Sequence, residues 1–372
     1  MCAPGIEEIT AGELVGLGLV PGRPSRGLVP FSATTRNVYA ANLWLRTATR
    51  VLLRMASFEC RDLDALEARA AGIDLRPWVA HGAAVRLRVT THRCRLVHTG
   101  AIAERLARGG GLRPVAADDD DGALVVVRGV HDRFTVSVDT SGEPLHRRGW
   151  RLATAKAPLR PTIAAALLLA SGWSPADALV DPFCGSGTIP IEAARLARRL
   201  PPSVGRRFAF QDAGGFEPGT WASVTGDAAD RALEGAPAPI VGRDRDAGAV
   251  EAARANAERA GVSADVDLAV ASVSDLAAPG GGDARPWVVT NPPWGGRVGG
   301  GDLRNLYARF GTVCRERLPD GRVALLAADP VLAGHTGLGL TERFRTDSGG
   351  VDVRALVADR PRRAGSPPAR RR

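Results

Sequence analysis

Apolar positions in the carboxyl-terminal part of the chain follow two alternating patterns. Short apolar runs at Ala178–Val180, Ile240–Val241, Asp265–Ala271, Val288–Val289 and Arg322–Ala327 are the mark of buried strands. Between them apolar residues recur at helical spacing, as at Ile189, Ala193, Leu196 and Leu200. Further helices are predicted over Thr162–Ser171, from Asp246 to Ala260, and over Leu303–Leu318. Thr341–Arg345 and Val351–Val357, separated by Gly349-Gly350, read as a closing hairpin. Strands alternating with helices predict a parallel doubly wound sheet, which the hairpin brings to seven strands. The Gly/Pro-rich span from Pro201 to Pro239 reads as partly surface loop with one helix near Trp221.

The amino-terminal pattern differs. Residues 1–55 read as a small α+β unit: a helix ending near Gly18, a short strand at Gly27–Phe31, then helix and strand from Ala40 to Met55. Residues 56–146 read as a second unit. It has helices at Leu63–Ala71 and Thr99–Arg108, and strands at Ala84–Val89, Leu124–Val127 and Phe134–Val138. Ala84–Val89 alternates apolar residues with Arg86 and Arg88, a strand with one basic face. Asp118 to Asp121, before Gly122, reads as a solvated acidic turn. Residues 150–360 form the doubly wound domain, and 361–372 a basic, disordered tail.

Candidate chemistry lies where strands end. Asp181 closes the Ala178–Val180 run, and Gly185 and Gly187 then allow a sharp turn and close approach of backbone to a ligand. A dinucleotide fingerprint needs a third glycine, where this chain has Pro190; a P-loop needs a lysine that is absent. What remains is a cradle for a less phosphate-rich cofactor, with Asp181 able to accept from an ammonium, which suits S-adenosylmethionine (SAM). Alone, the turn also fits an ordinary strand-to-helix connection. Val288–Thr290 ends in Asn291-Pro292-Pro293-Trp294-Gly295. The prolines fix the backbone, Asn291 offers a carbonyl oxygen to an amino group, and Trp294 a face for a base. Asp244, ending the next strand, is placed for two charge-assisted bonds to ribose hydroxyls.

Composition narrows the classes. No run reaches the ~18 apolar residues of a membrane span, and no basic segment followed by an apolar one marks a signal peptide. The five cysteines are scattered without a CxxC pair, which predicts a reduced, cytoplasmic protein with no zinc site or disulfide framework. A net charge of +9, with Lys156 the single lysine, fits a polyanion partner. Arginine can fork onto phosphates and stack on bases.

Several motifs in order resemble the THUMP-domain RNA methyltransferases, particularly the guanine-N2 group. They are Asn42-Leu43-Trp44-Leu45-Arg46-Thr47-Ala48, Leu145-His146-Arg147-Arg148-Gly149-Trp150-Arg151, and Asp181-Pro182-Phe183-Cys184-Gly185-Ser186-Gly187-Thr188. Phe208-Ala209-Phe210 ahead of Trp221 and Asn291-Pro292-Pro293-Trp294-Gly295 complete the set. The resemblance covers nearly the whole chain. It implies a Rossmann-like seven-stranded class I methyltransferase domain, an α/β fold, preceded by a ferredoxin-like unit and a THUMP domain that holds RNA. It implies rRNA or tRNA as substrate; the chain is expected to act as a monomer, without metal or membrane. Asp181, Phe183, Cys184, Gly185, Ser186, Gly187, Thr188, Asp244, Arg245, Ser272 and Asn291 would then line the SAM site. Asn291, Pro292, Pro293 and Trp294 would form the catalytic loop, and Arg86, Arg88, Arg93, Arg95, Arg147 and Arg148 would meet RNA. Where the family has an acidic residue facing adenine, this chain has Ser272, with Asp275 three residues on. The catalytic loop also suits adenine-N6 or protein glutamine methylation. A non-catalytic RNA-binding protein of the same fold is the reading from another class.

Overall fold

The computed structural model of the chain describes residues 1–80, 82–116, 122–152, 159–279, 285–295 and 303–358. The acidic turn at Asp118–Asp121, Lys156 and the basic tail lie outside the described residues.

The chain opens with helices α1 (Glu7–Gly16) and α2 (Thr35–Trp44), the latter capped by the Thr34 hydroxyl. The expected strand at Gly27–Phe31 is absent as a ladder. Only isolated bridges join Pro21 to Phe31 and Ser25 to Leu28, because prolines 21, 24 and 30 remove the donors a ladder needs.

Five strands then build the first sheet: β1 (Leu52–Glu59), β2 (Ala84–His92), β3 (Arg113–Val115), β4 (Ala123–Val130) and β5 (Arg133–Asp139), in the order β1-β5-β4-β2-β3. The expected boundary at residue 55 cuts through β1, whose Leu52 pairs with Asp139 and Glu59 with Arg133. Helices α3 (Leu63–Ala71) and α4 (Thr99–Gly109) pack together on one face, over Val85, Leu87, Val125 and Val127. The strand period of two sends Arg86 and Arg88 to the other face.

The second sheet has seven strands in the order β11-β12-β10-β9-β6-β7-β8. These are β6 (Leu179–Asp181), β7 (Ile240–Asp244), β8 (Val266–Val270), β9 (Trp287–Thr290), β10 (Arg322–Ala327), β11 (Thr341–Ser348) and β12 (Val351–Ala358). The first five pair in parallel, and β12 and β11 close the edge antiparallel, as the hairpin pattern predicts. Between them run α5 (Pro161–Ser171), α6 (Thr188–Ala197), α7 (Pro218–Arg231), α8 (Ala247–Arg259), α9 (Leu303–Arg317) and α10 (Pro330–Gly334). Helix α5 is apolar all round because the sheet and its neighbours cover Ile163 to Leu168 completely. From β6 the chain winds outward through β7 and β8, then returns to place β9 on the other side of β6. The crevice of a doubly wound sheet opens at such a reversal.

The span from 201 to 239 is more than surface loop. Phe208 and Phe210 are buried and stack on each other; Phe210 also stacks on Tyr39 of α2, with ring centroids 4.2 Å apart, and both meet Trp221 of α7 edge-on. The Tyr39 hydroxyl accepts from the Glu217 amide at 3.0 Å. Aromatic packing of this kind fastens the amino-terminal unit to the doubly wound domain.

A buried ionic junction fastens it further. Arg148 Nε donates to Glu192 Oε1 of α6 at 2.9 Å, with both side chains fully buried. The other guanidinium nitrogens of Arg148 donate to the carbonyls of Leu145 and Arg46. Arg46 NH1 lies 3.7 Å from Glu192 Oε2. Arg148 therefore cannot meet RNA, and that expectation is corrected: basic composition does not distinguish an inward from an outward arginine.

Removing one partner of a buried pair strands the other charge, at a cost of about 3–5 kcal/mol. Glu192→Ala is expected to lose that much in urea unfolding, while Arg148→Met with Glu192→Leu loses markedly less. A loss in Glu192→Ala within about 0.5 kcal/mol, the scale of a surface substitution, would refute the junction's structural role.

Candidate functional site

The carboxyl ends of β6 and β9 meet at the reversal, and the predicted groups gather there. Asp181 is buried at the end of β6. Its Oδ1 accepts from the Phe183 amide at 3.1 Å and from Thr290 Oγ1 at 2.5 Å. Thr290 ends β9, so one hydrogen bond ties the glycine turn to the strand that presents Asn291. Burial, above all, pushes the Asp181 carboxyl up to about 7; the bonds from Thr290 and Phe183 oppose this and the nearby Asp244 charge adds to it.

The turn has the shape of a cradle. Gly185 and Gly187 take positive φ, +53° and +82°. A Cβ on Gly187 would press on Ala253 and Ile191 at 3.0–3.1 Å, so this glycine serves packing. A Cβ on Gly185 would meet nothing within 4 Å: the backbone there faces open space. Helix α6 starts at Thr188, presenting first-turn amides that favour a carboxylate. Pro190 sits in that first turn, where its missing N–H costs nothing. Asn256, fully buried on α8, donates to the Ser186 carbonyl at 3.0 Å and holds the turn.

Asp244 ends β7 as expected, but it already has work within the protein. Its Oδ2 accepts from the Gly185 amide at 2.9 Å and its Oδ1 from the Asp246 amide at 3.0 Å. It braces the glycine turn, each oxygen keeping acceptor capacity for a ligand hydroxyl. Arg245 follows it, exposed. Ser272, after β8, caps a short 3-10 turn by accepting from Ser274 N, while Asp275 accepts from the Ser272 amide at 3.1 Å. Serine and aspartate thus form one reciprocal cap.

Cys184 is buried, and burial pushes its thiol pKa far up, so it is a packed neutral group, not a nucleophile.

The loop after β9 is pinned from two sides. Tyr307 Oη of α9 donates to the Pro293 carbonyl at 3.1 Å, and Trp294 Nε1 to the Leu326 carbonyl of β10 at 3.3 Å. Asn291 is half-buried, and its Oδ1 is shielded from solvent with no hydrogen-bond partner among the described residues. A buried acceptor left unpaired costs free energy, so this oxygen is free to take a donor from water or a ligand. Thr290, Asn256 and Tyr307 escape sequence reading because their roles depend on contacts 109, 70 and 14 residues away.

Of the arginines expected to meet RNA, Arg88, Arg93, Arg95 and Arg147 are exposed and Arg86 is half-buried. Arg54 and Arg128, not foreseen, share the open face with Arg88. The register runs Arg88–Val126–Ser137–Arg54 across β2, β4, β5 and β1, and Arg128 is two residues beyond Val126.

The strand order, the closing hairpin and a glycine cradle without phosphate-binding lysine or third glycine define a Rossmann-like methyltransferase domain. The chain belongs to the RMKL-like methyltransferase domain family, which matches residues 148–336. A second match, the RlmL ferredoxin-like domain, covers residues 1–52. The chain is 32% identical over 377 residues to the ribosomal RNA large subunit methyltransferase K/L of Syntrophotalea carbinolica, covering 95% of this chain and 52% of the relative. It thus spans about half the length of the curated relatives it matches. Among solved structures it resembles SMU.472 in complex with SAH (TM-score 0.82, 26% identity, 96% of each chain). It also resembles a predicted N6-adenine-specific DNA methylase from Listeria monocytogenes (TM-score 0.82, 29% identity, 95% and 94% of the two chains).

The Asp181 carboxyl titrates near 7 when folded and near 3.8 when unfolded. A raised folded value means the protonated form is favoured in the fold. Its contribution is complete below pH ~4 and is lost as pH rises through ~7, on the order of 4 kcal/mol in all. Asp181→Asn, which cannot ionise, is expected to flatten that part of the profile and to gain on the wild type between pH 5 and 8 in urea unfolding. Parallel profiles for the two proteins would contradict the assignment.

Proposed function

We propose that this chain transfers a methyl group from SAM to the exocyclic N2 amine of a guanosine in RNA, ribosomal or transfer. The observation that carries the reading is the unpaired, buried Asn291 Oδ1 beside the cradle at the sheet reversal. The names of the K/L relatives favour rRNA. The five-stranded unit from Leu52 to residue 146 would be the THUMP domain, with Arg54, Arg86, Arg88 and Arg128 on its RNA-facing surface.

The residues fit the cofactor. Asp181 would take the ammonium, the first turn of α6 the carboxylate, and Asp244 the ribose, with Gly185 leaving room for close approach. When bound, SAM supplies an electrophilic methyl on a sulfonium. Asn291 Oδ1 and the Pro292 carbonyl would accept the two N–H bonds of the amine. This localises a lone pair that the ring otherwise withdraws. Trp294, anchored through Nε1, would hold the base flat, unpaired or flipped out. No covalent bond to the base is needed, which agrees with the inert Cys184. Acceleration then comes from positioning and preorganised acceptors.

Asn291 acts mainly in the transition state in this scheme, so its loss should fall on turnover. Asn291→Ala is expected to lower methyl transfer by about 100- to 1,000-fold while SAM and RNA affinities stay within about threefold. The assay is tritiated methyl transfer from SAM to unmodified RNA, with the product nucleoside identified by mass. N2-methylguanosine supports the substrate assignment; N6-methyladenosine, or label in protein alone, overturns it. Full activity in Asn291→Ala overturns the mechanism.

A further inference from the structure

The segment joining the two sheets carries charge that the proposed chemistry does not use. It is held rigidly. The Val204 amide donates to the Arg148 carbonyl at 2.8 Å, Trp150 Nε1 to the Pro202 carbonyl at 3.1 Å, and Arg206 NH1 to the Arg147 carbonyl at 3.0 Å. Gly149 takes φ +84°, and a Cβ there would sit 2.3 Å from the Val204 carbonyl oxygen. The backbone is therefore pressed against the 202–206 loop and cannot relax around its charges.

Those charges are unbalanced. Glu192 is committed to Arg148, and Glu143 forms an exposed pair with Arg147 that is worth little in water. Arg151 is half-buried, with its Nε shielded and unpartnered among the described residues. His146 Nδ1 is likewise shielded and unpartnered. Arg160, at the N-cap of α5, is exposed and its side chain caps nothing. Two orphaned polar groups in a stretch of six residues, beside guanidinium groups with no carboxylate partner among the described residues, are costly unless water or a ligand pairs with them, and an anion suits the surrounding charge.

We propose that His146, Arg147, Arg151 and Arg160 form a phosphodiester-binding site that grips the backbone of the RNA substrate between the five-stranded unit and the methyltransferase domain. This rests on the RNA reading above and adds a site to it, on the junction and apart from the sheet face. The state of His146 agrees. Burial first, then the charges of Arg160, Arg148, Arg147 and Arg151, push its imidazole down to about 4, so without an anion it is neutral. A bound phosphate would offset those charges and let the ring take a proton and donate. The position suits a relay as well: Arg259 donates to the Trp150 carbonyl and to Asn256, which holds the cofactor turn.

The test uses the full chain and a single-stranded 12-mer oligoribonucleotide. Arg160→Gln and Arg151→Gln should each weaken binding about tenfold and reduce the slope of log affinity against log salt by about 0.7, leaving SAM affinity unchanged. Arg160 is exposed, so its variant should fold as the wild type does, and Arg151→Lys should recover part of the affinity. In NMR titrations the His146 midpoint should rise from about 4 by at least about one unit when inorganic phosphate replaces chloride at equal ionic strength. Unchanged affinity and slope in both Gln variants, with His146 unmoved by phosphate, overturn the site while RNA methylation by the wild type stands. A His146 shift with phosphate in a protein that neither binds nor methylates RNA keeps the anion site and overturns its RNA occupant.

Discussion

One hydrogen bond, from Thr290 Oγ1 to Asp181 Oδ1, crosses the point where the sheet reverses its winding. The glycine turn and the Asn291 loop both hang from the two strand ends that it joins. On one side, Asp181 also takes the Phe183 amide and so fixes the entry to the glycine turn. On the other, Thr290 is the last residue before Asn291. A shift of either strand by one residue would turn its terminal side chain to the opposite face, since strand side chains alternate. The bond therefore keeps the glycine turn and Asn291 in one register. It does so in a buried setting, where a hydroxyl donor to a carboxyl is worth most and an unpaired one would be costly.

The second requirement is that the amino-terminal units stay oriented to that crevice. Here the motifs outside the glycine turn and the Asn291 loop find their physical meaning. Asn42 donates to Thr140 Oγ1 and accepts from Ser141 Oγ, tying α2 to the end of β5. Glu13 of α1 accepts from the Arg46 and Thr47 amides. Arg46 reaches across to Glu192 and to the Leu200 carbonyl. These are buried polar links between units far apart in sequence, and they favour one arrangement over many. Hydrophobic contact alone, through Tyr39 and Phe210, would allow sliding; directional bonds do not.

The doubly wound fold was legible because its signals are local: an apolar run, a polar strand end, a glycine, a helical period. Asp181 and Asp244 are found at strand ends as read, and Asn291 directly after one. The amino-terminal boundary was not legible, because β1 shows its partner only through pairing with β5, roughly eighty residues later. Phe208 and Phe210 read as loop residues because the Gly/Pro content around them dominates, whereas their burial is decided by Tyr39 and Trp221 on other elements. Tyr307 and Asn256 carried no motif at all. Their roles come from tertiary contact, which periodicity does not encode.

Charge shows the same limit from another side. A net +9 reads as a polyanion footprint, yet much of the arginine is architectural. Arg46 and Arg148 are buried in the ionic junction, Arg195 donates to the carbonyls of Pro201 and Ala260, and Arg198 pairs with Asp265. Arg206 bonds the carbonyls around Pro144 and Arg147. A guanidinium suits such posts because its rigid fork satisfies several carbonyls at once, which an ammonium on a flexible stem does less well. Near-exclusive use of arginine is thus partly a requirement of the fold. Among the described residues, the arginines proposed above for a polyanion include those on the open sheet face and those at the junction, where burial and like charge keep His146 unprotonated. For the proposed RNA substrate the relevant electrostatic quantity is the local field at such surfaces, not the sum over the chain.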